Sequence, residues 1–177
     1  MSAVRFRWGG VHWGLVVAAA TLLAFIAGVI WIDHRARSGG DAWSHVPDLR
    51  DAQRIAAGER VYASHCAACH GAQLEGQPNW TTRRDNGRLP APPHDESGHT
   101  WHHPSTQLFE LTKHGLAPPH APAGYQSDMP AFKDVLSDDD IWAVLAYIKS
   151  RWPAQVRERH DGLDAQVRAQ DRAQKHH

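Results

Sequence analysis

Cys66-Ala67-Ala68-Cys69-His70 is the stretch from which the rest of the chain is read. Its pattern, C-x-x-C-H, is the attachment signature of a c-type haem. Two thiols three positions apart add to the two vinyl groups on one porphyrin edge, and the imidazole that follows is held under the iron. These are the only two cysteines among 177 residues, so no thiol is left for a disulfide framework. Two other readings of a C-x-x-C pair weigh less. A redox dithiol normally follows a strand in a βαβ pattern, whereas a helical pattern precedes these cysteines. A closed zinc site needs two further ligands, with histidines elsewhere as the candidates.

Upstream, Asp48-Leu49-Arg50-Asp51 opens a helical pattern with acidic residues in its first turn, as the helix dipole prefers. Ile55, Gly58, Val61, Tyr62 and His65 recur on one face. Gly58 inside a helix costs about 1 kcal/mol relative to Ala, which a close helix crossing would justify. Downstream, residues 71–104 show little periodicity and many turn residues. So long an irregular stretch suits a loop wrapped over a haem face, which supplies the apolar core the loop lacks. Trp80, Leu89 and Trp101 are candidates to pack there, and Arg83, Arg84 and Arg88 to pair with haem propionates, although loop arginines are more often simply solvated. His94, His99, His102 and His103, followed by His114 and His120, raise a second-metal hypothesis.

Ser105-Thr106 starts a short helix with Leu108, Phe109, Leu111 and Thr112 on its apolar face and Gly115 at its end. A proline-rich loop over 116–130 then carries Asp128-Met129-Pro130, and Met129 is one of two methionines, the other being Met1. A methionine on a stiff loop is suited to the far side of a haem, although filling a core gap is the commoner fate of this residue. Ser137-Asp138-Asp139-Asp140 is close to a capping box. Ile141, Trp142, Val144, Leu145 and Ile148 follow as a helical stripe, predicted to pack across the Gly58/Tyr62 face with Tyr147, and Trp152-Pro153 ends it. The tail, 154–177, is charged and nearly free of large apolar residues, which predicts a solvated helix or none.

At the other end, residues 13–32 run without a charge. About twenty such residues span the ~30 Å hydrocarbon core, and Trp13 and Trp31 sit where aromatic rings favour the headgroup zone. No small-x-small cleavage site follows, so an uncleaved anchor is expected over a signal peptide. Arginines flank the run on both sides, leaving orientation to the haem motif, since covalent attachment in bacteria takes place outside the cytoplasmic membrane. The expected organisation is a cytoplasmic N-terminus at 1–10, a transmembrane anchor at 11–32, a linker at 33–47, a haem domain at 48–153 and a charged tail at 154–177. Formal net charge is zero, and 48–153 holds ten Lys and Arg against thirteen Asp and Glu; with no basic patch, nucleic acid is excluded as a partner.

C-x-x-C-H on a first helix, Met129-Pro130 on a late loop and an aromatic-bearing last helix together make 48–153 resemble a class I c-type cytochrome, in its membrane-anchored bacterial form. The resemblance implies an all-α chain: a small cytochrome c fold around one covalent haem c, preceded by a single transmembrane helix. It also implies thioether bonds at Cys66 and Cys69 and axial iron ligands at His70 and Met129. The long loop at 71–104 departs from the family pattern and leaves His102 and His103 as alternative distal ligands. The expected function is one-electron transfer in the periplasm, tethered to the inner membrane. A dehydrogenase or quinol-oxidising complex would be the donor and a terminal oxidase the acceptor. Two other classes stand beside it: a peroxidase-like haem enzyme, if Met129 is off the iron, and a copper or redox sensing module built on the loop histidines.

Overall fold

The computed structural model describes residues 10–38, 42–46 and 48–175. The predicted N-terminal arm up to residue 9, Gly39-Gly40 and Pro47 of the predicted linker, His176-His177 and the side chains of Trp13 and Trp31 lie outside the described residues. The chain divides into two compact units, Met1–Asp41 and Ala42–His177.

The first unit contains one helix, α1 (Gly10–Ser38), which runs past the predicted end of the anchor at 32. Among the described residues no helix is long and apolar enough to cross a membrane. Side chains of α1 are described only at 14 and 16–29, a shorter run than the predicted anchor at 11–32. Its large apolar side chains are exposed, Leu23 by 66% and Phe25 by 71%.

The second unit is helical throughout, with no strand among the described residues. It comprises α2 (Ala52–His65), α3 (Ala67–His70), α4 (Ser105–His114), α5 (Asp138–Arg151) and α6 (Ala154–Lys175), with 3-10 turns at Ala42–His45 and Thr100–His102. Asp51 caps α2, its carboxylate accepting from the Arg54 N–H at 3.0 Å. At α5 the capping box is complete: Ser137 Oγ accepts from the Asp140 N–H at 3.1 Å, and the Asp140 carboxylate accepts from the Ser137 N–H at 3.2 Å.

Helix α5 is the centre of this unit. Every residue from Ile141 to Lys149 is buried, a wider face than the predicted stripe, because α2 and α4 pack against it and Lys149 is covered by α6. The crossing with α2 is set at Gly58. A Cβ there would overlap the Ala143 carbonyl oxygen and lie 2.9 Å from Tyr147 Cβ, so the glycine permits the approach that the sequence anticipated. One cluster joins Tyr62 and Leu74 to Val144, Tyr147, Ile148 and Trp152. A second joins Phe109, Phe132 and Leu136 to Ile141, Trp142 and Leu145, with Phe109 stacked on Trp142 at 4.6 Å between ring centroids. Val61 packs against both.

The tail corrects the expectation of a solvated helix or none. Helix α6 docks through polar residues: His160 is 1% and Asp164 6% exposed. Asp164 accepts from both the N–H and the hydroxyl of Ser105 at 2.7 Å, giving α4 the cap that its own N-cap residue, Pro104, does not provide. His160 Nε2 donates to the His103 carbonyl at 3.0 Å. Lys149, itself 4% exposed, lies 2.6 Å from Asp161 and 3.6 Å from Asp164. The predicted linker is likewise structured at its far end, where Trp43 is buried and its indole N–H donates to Asp171 at 2.8 Å.

Burial pushes the His160 pKa below its ordinary 6.5, against the pull of Asp164, while Lys149 lowers it further and the His103 carbonyl and Asp161 oppose. A histidine depressed in this way stays neutral in the fold while the unfolded chain takes up a proton. Its contribution is therefore present above the unfolded value and lost as pH falls through that value toward the folded one. The unfolding midpoint should drop between about pH 7 and about pH 5, and by less in His160→Gln than in the wild type; equal drops would remove His160 from the account. At the helix crossing, Gly58→Ala should destabilise by about 1–3 kcal/mol through overpacking instead of giving the usual helix gain, as read by denaturant unfolding.

Candidate functional site

The chain breaks between α2 and α3 at Cys66, and the break brings the motif together. The Cys66 carbonyl accepts from the N–H groups of both Cys69, at 3.1 Å, and His70, at 2.9 Å, so the three chemically active residues share one tight turn. Cys66 is half-buried and Cys69 exposed. Burial, reinforced by Cys69 alongside, pushes the Cys66 thiol up to about 11. Gly71 closes the turn at φ +80° with its N–H on the Ala67 carbonyl at 3.0 Å. Tyr62, one turn back on α2, donates its hydroxyl to the Gly71 carbonyl at 2.8 Å, with the His70 carbonyl at 3.3 Å. Burial holds that phenol well above its ordinary range.

The His70 ring is 7% exposed. Its Nδ1 lies 2.8 Å from the Pro92 carbonyl oxygen, which fixes the tautomer: Nδ1 carries the proton and donates, leaving the Nε2 lone pair. Burial holds the pKa of this imidazole below the ordinary histidine value, the Pro92 bond opposing. The other face of the site is a second imidazole, His94, stacked on His70 at 3.9 Å between ring centroids and 22° between planes.

The loop over 71–104 has little regular structure but many anchors. Gly76 donates to the His70 carbonyl at 2.7 Å, Gln77 to the Ala91 carbonyl at 2.9 Å and His94 to the Leu74 carbonyl at 2.7 Å. Gly76 has φ +69°, and a Cβ there would crowd the Pro92–Pro93 backbone. Leu74, 2% exposed, also sits in the left-handed region at φ +72°, a strain of about 1–3 kcal/mol held by the anchors on either side. Trp152 at the end of α5 closes the loop from outside, donating its indole N–H to the His94 carbonyl at 2.7 Å.

Met129 is half-buried against the second cluster, with its N–H on Ser127 Oγ at 3.0 Å. The loop arginines are paired within the protein. Arg88 pairs with Asp128, the residue before Met129; Arg84 lies 3.7 Å from the same carboxylate and donates to Gln77 Oε1 at 2.7 Å; Arg83 donates to the Gly87 carbonyl at 2.6 Å and lies over the Tyr125 ring. Together they tie the first loop to the methionine loop. Of the three expected apolar packers, Trp101 packs against the first cluster and Trp80 stacks on His99.

Among the described residues the other loop imidazoles do not gather as a metal site. His102 stacks on Trp101, His99 meets His103 edge to face, and His114 and His120 lie 3.5 and 3.8 Å from one oxygen of Glu110. Among the described residues, the group of metal-ligand type is His160, Asp161 and Asp164, and the Lys149 ammonium already answers its charge.

Sequence reasoning named Cys66, Cys69, His70 and Met129; the structure sets the first three on one turn and Met129 against the second cluster, and adds Pro92 and the stack of His94, which the sequence reading did not pick out. The signal for Pro92 was the run Leu89-Pro90-Ala91-Pro92-Pro93: prolines lack an N–H, so such a run offers carbonyls with few local donors.

Three comparisons bear on this geometry. The family model for cytochrome c matches residues 55–152, more than half of the chain. The CcoP subunit of the cbb3-type cytochrome c oxidase of Rubrivivax gelatinosus is 40% identical over 47 residues, which are 27% of this chain and 16% of that subunit. No solved structure matches. At Tyr62, loss of the buried hydroxyl in Tyr62→Phe leaves the Gly71 carbonyl only the longer bond from the Leu74 N–H at 3.3 Å and should cost about 1 kcal/mol in urea unfolding.

Proposed function

The chain belongs to the cytochrome c family, and from that premise we propose that it is a membrane-tethered one-electron carrier holding a single haem c in the periplasm. The observation that carries this reading is the state of His70. Its ring is buried and its Nδ1 donates to a backbone carbonyl, leaving Nε2 as a neutral donor for a metal, the arrangement by which proteins orient ligating histidines. Cys66 and Cys69 stand on the same turn, and the chain has no further cysteine, which supports one covalently held haem. Met129 on the arginine-tied loop is the second axial donor in this reading.

Bound at these residues, the haem supplies reversible one-electron chemistry at iron. The chain does the rest. Pro92 holds the His70 imidazole through Nδ1, Tyr62 locks the turn that carries it, and the Arg84 and Arg88 pairs with Asp128 place the loop of Met129. With His70 and Met129 both holding the iron, no position would be left for a substrate, and the protein would carry electrons without transforming a bound molecule.

The exposed apolar side chains of α1, among them Val16, Leu22, Leu23, Phe25 and Ile26, support its use as the anchor within 11–32. Periplasmic placement follows from where haem attachment takes place. Similarity to a subunit of a cbb3-type oxidase supports a terminal oxidase as acceptor, with a dehydrogenase or quinol-oxidising complex as donor.

Met129→His tests the ligand pair. An imidazole stabilises ferric iron more than a thioether does, so the variant should remain six-coordinate in its optical spectrum while its reduction potential falls. An unchanged potential would mean that Met129 is not the ligand.

A further inference from the structure

A single hydrogen bond does not fix an imidazole. The bond from His70 Nδ1 to the Pro92 carbonyl pins one atom, but the torsion between Cβ and the ring is broad, and hydrogen bonds tolerate a wide range of acceptor angles. A second constraint on the plane of the ring is needed. We propose that His94 supplies it as a positioning residue, its stacked ring holding the His70 imidazole in the orientation that faces the haem; this rests on the reading of His70 as the axial ligand.

The geometry carries the proposal at both ends. The two rings lie 3.9 Å apart and 22° from parallel, so any swing of His70 toward that side meets a flat surface. His94 in turn is held at four points. Its N–H donates to the Leu74 carbonyl at 2.7 Å, and its carbonyl accepts from Trp152 Nε1 at 2.7 Å. Its ring Nδ1 lies 2.8 Å from Thr100 Oγ1, and its ring edge meets Tyr62 at 6.4 Å. Each anchor is itself buried: Leu74 and Tyr62 are 2% exposed, Trp152 3% and Thr100 6%. Trp152 is backed by His160 of α6, the rings 5.0 Å apart. A path of packed and hydrogen-bonded groups thus runs from the C-terminal helix to the ligand plane.

A histidine present only to fill space would affect stability alone when replaced. One that sets the orientation of a metal ligand changes the electronic properties of the metal. Its ring also keeps water from the His70 side, and solvent access shifts a haem potential toward the ferric form.

The experiment uses the full-length protein matured with its haem, in four forms: wild type, His94→Ala, His94→Phe and Thr100→Val. Each is measured by ferric electron paramagnetic resonance and by potentiometric titration, with the unfolding midpoint recorded alongside. His94→Ala should broaden the low-spin ferric signal, as the imidazole samples several planes, and lower the potential. His94→Phe restores a flat ring but not its bond to Thr100, and should return both part of the way, to about the Thr100→Val values, whatever its unfolding midpoint. Thr100→Val frees the His94 ring at nearly constant volume and should broaden the signal, which decides the matter if the alanine variant does not fold. A folded, haem-loaded His94→Ala with wild-type signal and potential overturns the proposal, as does an unbroadened Thr100→Val or a phenylalanine variant that restores neither property. A wild type without a low-spin haem signal overturns the ligand reading itself, and the positioning role with it.

Discussion

The contact on which the second unit depends is the crossing of α2 over α5 at Gly58, where the absence of a side chain lets backbone meet backbone at Ala143. Because α2 ends at His65 and the C-x-x-C-H turn follows without a gap, the depth of that crossing sets where both thiols and His70 stand relative to the core. Tyr62 transmits the placement. It is packed on Tyr147 of α5, ring centroids 5.4 Å apart, and its hydroxyl holds the carbonyl at the end of the turn.

Around this crossing the protein secures a long irregular loop by means other than secondary structure. Backbone bonds tie residues 74–77 to 91–94, two left-handed residues turn the chain tightly enough for that return, and Trp152 pins the far end. The C-terminal helix closes the assembly with charge-assisted bonds: Asp164 caps α4, and Lys149 is buried between the carboxylates of α6. Burying a lysine is costly unless it is paired, so α6 and α5 depend on each other. On the methionine side the linkage is between two loops, through Arg84, Arg88 and Asp128, where exposed pairs contribute little individually and serve mainly to set direction.

What the sequence made legible follows from what is local. The attachment motif, the capping box of α5, the apolar face of α4 and the reason for Gly58 could all be read within one or two helical turns, because the signal lies in residue type and spacing. The acidic residues expected in the first turn of α2 instead lie before it, Asp51 being its N-cap. Helix α6 could not be read as docked. Its anchors are polar residues whose partners, Ser105 and Lys149, lie on other helices, so hydrophobic periodicity carries no trace of them. The arginine pairings could not be read because a loop arginine has no local signature of its partner, and Asp128 lies 40 residues from Arg88. The stack of His94 on His70 is of the same kind: two imidazoles far apart in the chain are brought face to face by loop closure alone.

These elements converge on one chemical claim, that Cys66 and Cys69 hold a haem covalently with His70 beneath it. The most direct measurement is the intact mass of the chain, produced with a cytochrome maturation apparatus and then denatured to strip any loosely held ligand. The account predicts a mass raised by one haem, the increment disappearing when both cysteines are replaced by alanine. An unmodified mass for the wild-type chain under those conditions would contradict it.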